Sequence, residues 1–133
     1  MKCLIVEDNR AIALIMTRLV RKTSFERYSD CDHVTCADSV PSALNLLLEQ
    51  QFDYVFLDLN LSDDLDGLRV LEYVRQQQKN IPIFIVTANN NIATVKQVIQ
   101  LQPTDYLVKP VSKMNISRCL EKAKMAKTLN VAV

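Results

Sequence analysis

Residues 53–60 read DYVFLDLN, and the step from Tyr54-Val55-Phe56-Leu57 to the carboxylate of Asp58 decides the fold. An apolar run of this length, without the alternation of a half-exposed strand, reads as a strand covered on both faces. That is the condition of a central strand in a parallel sheet. Three other segments share the form. Leu4-Ile5-Val6 runs into Glu7-Asp8, Ile83-Phe84-Ile85-Val86 into Thr87, and Tyr106-Leu107-Val108 into Lys109-Pro110. An open parallel sheet gathers the carboxyl ends of its strands along one edge, where ligand sites form. Together these ends bring acidic groups, a hydroxyl and an ammonium to one rim, a set suited to a divalent metal and a phosphoryl group.

Working outward, helical periodicity fills the gaps. Lys2–Val6 reads as the first strand, and residues 11–22 as a helix capped by Asn9 with Ile12, Ile15, Met16, Leu19 and Val20 on one side. Residues 23–32 are polar and read as a long connection to strand His33–Ala37. A helix over 40–50 has Ser39 as cap, Pro41 in its first turn, and Ala43, Leu44, Leu47 and Leu48 as its buried stripe. After strand Tyr54–Leu57 comes an acidic loop, 60–66. It ends at Gly67, the only glycine of the chain, which marks a position that a side chain would block. A helix over 68–78 turns Leu68, Val70, Leu71 and Val74 inward. Strand 82–86, helix 92–101 (broken by Pro103) and strand Asp105–Val108 follow. The last helix, 114–128, repeats Ile116, Cys119, Leu120 and Ala123 at helical spacing. Five strands alternating with five helices predict an α/β domain built on a doubly wound parallel sheet.

The bulk properties agree. A chain of 133 residues, 49% hydrophobic and 23% charged, suits one globular domain with a real core. A net charge of +1 gives no global field toward nucleic acid or an anionic membrane. No apolar run approaches the roughly 20 residues needed to span a bilayer. Glu7 and Asp8 interrupt the amino-terminal apolar stretch before a signal peptide could form. A cytoplasmic location is expected. Cys3 and Cys119 fall in apolar patterns and read as core residues. Cys31 and Cys36 flank His33, but no second Cys/His cluster completes a zinc site, so reduced thiols are the simpler reading.

Taken together, LIVEDN (4–9), DYVFLDLNL (53–61), DG (66–67), PIFIVTA (82–88) and DYLVKP (105–110) resemble the receiver domain of bacterial two-component response regulators. The motifs occur in the family order, and the resemblance spans residues 1–129, leaving 130–133 as a tail or linker stub. It implies a flavodoxin-like fold of five strands and five helices, with strand order 2-1-3-4-5. It implies that Asp58 accepts a phosphoryl group from a sensor histidine kinase or a histidine phosphotransfer protein, a signalling role rather than that of an enzyme. Mg²⁺, with Mn²⁺ as a substitute, would be held by Asp8, Asp58 and the backbone carbonyl of Asn60, with Glu7 acting through water. Lys109 would pair with Asp58 at rest and with the phosphate afterwards. Thr87 would donate its hydroxyl to a phosphoryl oxygen, and Tyr106 would change rotamer to fill the space that Thr87 vacates. Asn60 and Asn89 stand where family members tune phosphoryl lifetime. The output would be a downstream protein or a fused effector domain. A homodimer through the last two helices and the fifth strand is common in the family.

Three departures from the family pattern stand out. LNLSDDLDG (59–67) is one residue longer than the usual loop, lacks its proline, and carries Asp63, Asp64 and Asp66 beside Ser62. This reads as a weakening of donor binding, as an outer-shell influence on the metal, or as a solvated turn. Gln102-Pro103-Thr104 replaces the usual Gly-Ala pair, and TSFERYSDCDH (23–33) lengthens the first connection, where Phe25 and Tyr28 serve a partner or pack locally. Two other functions compete. A pseudo-receiver would keep the fold as an interaction module without phosphate chemistry. A phosphatase of the haloacid-dehalogenase type would need an Asp at position 60, where Asn60 stands. A nucleotide- or flavin-binding cradle would need several glycines.

Overall fold

The computed structural model describes residues 1–63, 65–77, 80–88 and 91–131, with 130 and 131 described by backbone alone. Asp64, Asn89, the last residue of the helix expected over 68–78, and residues 132–133 of the expected tail lie outside the described residues. The elements follow in strict alternation: β1 (Lys2–Val6), α1 (Arg10–Tyr28), β2 (His33–Ala37), α2 (Val40–Glu49), β3 (Tyr54–Leu57), α3 (Leu68–Gln77), β4 (Ile83–Thr87), α4 (Ile92–Ile99), β5 (Asp105–Val108) and α5 (Lys113–Val131). All strand pairings are parallel, in the order β2-β1-β3-β4-β5. The doubly wound flavodoxin-like fold expected from the sequence is the fold observed.

Side-chain alternation along each strand divides the core into two layers. Leu4, Val6, Val55, Leu57, Ile83 and Ile85 face one way, onto Ala43 and Leu47 of α2, Val70, Leu71 and Val74 of α3, and Val98 of α4. Cys3, Ile5, Tyr54, Phe56, Phe84 and Val86 face the other way, onto Met16 and Val20 of α1 and Ile116, Cys119, Leu120 and Ala123 of α5. The rings of Tyr54, Phe56 and Phe84 meet in this second layer with centroids 5.2 to 6.3 Å apart. Because β3 and β4 are buried on both sides, their sequences could not alternate, and that is why they read as continuous apolar runs.

The structure corrects several local expectations. α1 does not stop at residue 22 but runs to Tyr28, so the long connection shrinks to residues 29–32. Thr23 and Ser24 are buried rather than solvated. Ser24 Oγ donates to the Arg21 carbonyl at 3.1 Å and accepts from Asp32 N at 3.1 Å, so the hydroxyl ties the helix to the following chain instead of breaking it. The helix ends at Ser29, which adopts a left-handed conformation (φ 57°) and donates its N–H to Phe25 O. Tyr28 packs against the second core layer under the Lys124 ammonium, 4.4 Å from its ring, whereas Phe25 is exposed. Ile15 and Leu48, expected on buried stripes, are exposed as well. Ala13 takes the inward place on α1, and partly buried Leu46 that on α2, because the helices are rotated slightly from the face of greatest apolarity. α4 is shorter than expected, closing at Ile99, while α5 extends from Lys113 to Val131.

Candidate functional site

Two backbone bonds set the rim. Asp58 N donates to Val6 O at 3.0 Å and Glu7 N donates to Ala37 O at 2.9 Å, carrying the parallel ladders one residue past the strands. The residues that follow β1 and β3 therefore emerge side by side. One carboxylate oxygen from each of Glu7, Asp8 and Asp58 lies within 4.8 Å of the others; Glu7 and Asp58 are buried and Asp8 is exposed. From β5, Lys109 N bonds the Thr87 carbonyl at 2.9 Å, and the Lys109-Pro110 peptide is cis. The chain turns there, and the ammonium reaches across the sheet. Lys109 Nζ donates to Glu7 Oε1 at 2.6 Å and to Asp58 Oδ2 at 3.0 Å.

Charge follows geometry. Burial, reinforced by hydrogen bonding to Asp58, pushes the Glu7 carboxyl up to about 7, against the downward pull of Lys109. Burial lowers the pKa of Lys109, but the Glu7 and Asp58 carboxylates outweigh it and hold the ammonium above its ordinary value. Glu7 Oε2 is buried without a hydrogen-bond partner. A buried lone pair left without a donor costs on the order of 1–3 kcal/mol. Three carboxylates with oxygens this close, and an unpartnered oxygen on Glu7, fit a small divalent cation.

The loop after β3 braces this arrangement. Asp66 accepts the backbone N–H groups of Leu61, Ser62 and Asp63 at 2.8, 3.0 and 3.2 Å. Asn60 Oδ1 accepts Leu65 N at 2.8 Å, which suits the left-handed φ of 57° at Leu65. Asn60 N in turn donates to Asp58 Oδ1 at 3.1 Å. Gly67 N bonds Leu59 O at 2.8 Å, and a Cβ at Gly67 would lie 2.2 Å from Asp58 O and 2.8 Å from Leu59 Cα. The sole glycine marks a close approach of two backbones, as its uniqueness suggests.

The structure thus brings Glu7, Asp8, Asp58, Asn60 and Lys109 together, and places Thr87 fully buried at the end of β4. Tyr106 is not part of the cluster. It sits on β5 opposite Ile85, partly buried against the α2–α3–α4 layer. Two features of the site are not legible in the sequence. Lys109 pairs with Glu7 as well as Asp58, and Asp66 is a bonded, half-buried organiser rather than part of a solvated turn. The available signal for Asp66 was its place directly before the only glycine.

The family described as the response regulator receiver domain matches residues 3–121. Curated relatives include the transcriptional regulatory protein ZraR of Escherichia coli, 30% identical over 90% of this chain and 25% of its own length. The alginate biosynthesis transcriptional regulatory protein AlgB of Pseudomonas aeruginosa is 39% identical over 84% of this chain and 23% of its own. The chain spans about a quarter of the length of these relatives. Among solved structures, a response regulator receiver domain protein of Clostridium thermocellum superposes with a TM-score of 0.82 at 21% identity, covering 96% of this chain and 97% of its own. The receiver domain of a sensor histidine kinase from Pseudomonas aeruginosa, with a magnesium ion coordinated in its active site cleft, gives 0.76 at 25% identity over 91% and 94%. No helix among the described residues is long and apolar enough to cross a membrane.

Proposed function

The chain belongs to the response regulator receiver domain family, and from that premise we propose that Asp58 accepts a phosphoryl group from the phosphohistidine of a kinase or phosphotransfer protein. A carboxylate oxygen of Asp58 attacks phosphorus, the N–P bond breaks, and the imidazole leaves with the electron pair. The observation that carries this reading is the buried Asp58 carboxylate, held between the Lys109 ammonium at 3.0 Å and a carboxylate pair able to take a cation.

Asp8, Asp58 and the Asn60 carbonyl, with Glu7 behind them, would hold Mg²⁺, or Mn²⁺ in its place. The ion would supply charge neutralisation for an anionic donor and for the transferring phosphoryl oxygens. Lys109 does the remaining electrostatic work as a mobile point charge on a flexible stem, able to leave Glu7 and Asp58 for a phosphoryl oxygen. Thr87, buried at the end of the adjacent strand, offers its hydroxyl to the same group. Its movement would open space next to Tyr106 on β5 and so re-shape the surface of α4, β5 and α5. Partners on this reading are a histidine kinase or phosphotransfer protein upstream and an effector, fused or separate, downstream, in the cytoplasm. Residues 1–129 form the receiver unit. The test is incubation with a small phosphodonor and Mg²⁺, read by intact mass. The wild type should gain one phosphoryl group, Asp58→Ala none. A labelled Asp58→Ala protein would remove the assigned acceptor, and an unlabelled wild type would favour an interaction module without phosphate chemistry.

A further inference from the structure

A cleft of about 870 Å³ opens beside the acidic rim, between the first turns of α1 and the β2–α2 junction. Its lining includes Glu7, Arg10, Thr17, Asp38 and Ser42. Arg10 is the only cation among the described residues that line it, and it is the first residue of α1. A positive charge there opposes the helix dipole, and no acidic residue in the first turn offsets it. Arg10 is exposed and makes no hydrogen bond or ion pair among the described residues. Neither helix stability nor a structural contact therefore accounts for a guanidinium in this place. Its surroundings do. Glu7, Asp8 and Asp58 set three carboxylates against the single ammonium of Lys109, and that ammonium is committed to two of them. Mg²⁺ would bring those charges close to balance, which leaves the rim little excess positive charge for an anionic donor, and Arg10 adds a cation in the adjoining cleft.

We infer that Arg10 is the donor-capturing residue of this domain, drawing the phosphoryl oxygens of an incoming donor to the cleft before transfer. The inference rests on the phosphoacceptor reading and adds a specificity-determining residue to it. For an acyl phosphate donor the step balances simply. An Asp58 oxygen forms a bond to phosphorus, the bond from phosphorus to the bridging oxygen breaks, and the carboxylate leaves with the electron pair. Arg10 takes no proton and forms no bond. It acts by raising the local concentration of the dianion, so its effect lies in the encounter and is screened by salt.

Arg10→Gln and Arg10→Lys provide the test, with acetyl phosphate and Mg²⁺ as probes. The glutamine variant removes a charge that the helix dipole disfavours, so it should fold at least as well as the wild type. At low ionic strength its second-order labelling rate should fall about fivefold, the loss shrinking toward nothing at high salt. Arg10→Lys should keep most of the rate. Mg²⁺ affinity, measured by calorimetry without donor, should move the opposite way and rise about twofold in Arg10→Gln, since a repelling charge has gone. Equal labelling rates for wild type and Arg10→Gln would overturn the inference while leaving Asp58 in place. So would a parallel fall in labelling and Mg²⁺ affinity, which marks a merely structural role. An unlabelled wild type would overturn the acceptor reading itself.

Discussion

Glu7 shows how one buried carboxyl ties stability to the site. Held at about 7, it binds a proton in the folded, metal-free protein that the unfolded chain has already released. The stabilisation is complete below the ordinary value of 4.5 and is lost as the pH rises through about 7. The melting temperature of the metal-free protein should therefore fall across that window. Glu7→Gln, which can still accept the Lys109 bond, should flatten the fall. Saturating Mg²⁺ should remove it in the wild type by favouring the ionised form; a fall that persists in Glu7→Gln would assign it elsewhere. Gly67 makes the complementary case in backbone. Gly67→Ala puts a methyl group 2.2 Å from Asp58 O, where the backbone cannot yield as a flexible side chain would. It should cost about 1–3 kcal/mol in urea unfolding and weaken Mg²⁺ binding by displacing Asp58. At this scale much of the candidate site was legible. Each residue that meets at the rim stands directly after an apolar run or within its loop, so the ends of the apolar runs located Glu7, Asp8, Asp58 and Lys109. The partner choice of Lys109 was not legible, because reach across three strands depends on a turn geometry that composition does not encode.

Among the elements, α1 and the loop after β3 carry the lesson that polar residues can organise as well as break. Thr23 and Ser24 have weak helix propensity and suggested a chain leaving the helix, yet tertiary burial kept them helical. The deciding contact, Ser24 Oγ with Asp32 N, joins residues across the very turn that the pattern had placed too early. The acidic loop is similar. Asp66 gathers three N–H groups from the preceding residues of the loop that would otherwise face water or nothing. Asp66→Ala should cost about 1–3 kcal/mol and loosen the Asn60 backbone that bonds Asp58 Oδ1. Hydrogen exchange at the Leu61, Ser62 and Asp63 amides should quicken in the variant. Unchanged protection there would show that the loop holds its shape without the carboxylate.

The whole molecule is a rigid sheet with a polar cluster at each end. At the carboxyl pole stands the acidic rim. At the amino pole Asp32, buried, accepts the Met1 ammonium at 3.2 Å and the Tyr54 hydroxyl at 2.7 Å. Tyr54 and Asp58 lie at opposite ends of β3, about 13 Å apart at the rise of a strand. Alternation of strands and helices exposed the layered architecture in advance, since every central strand is buried on both faces. The amino pole is hidden in the sequence, because Asp32 follows a helix whose polar last turns conceal its length and meets Tyr54 only through the β1–β2 and β1–β3 registers. Its distance from the rim makes a sharp prediction. Tyr54→Phe leaves a buried Asp32 oxygen short of a donor and should cost about 1–3 kcal/mol, while Mg²⁺ affinity stays at the wild-type value. Combined with Asp66→Ala, the two losses in urea unfolding should add to within about 0.5 kcal/mol, as for sites sharing no partner. A larger interaction energy would mean that the sheet transmits strain from one pole to the other, and that tightening either cluster changes the other.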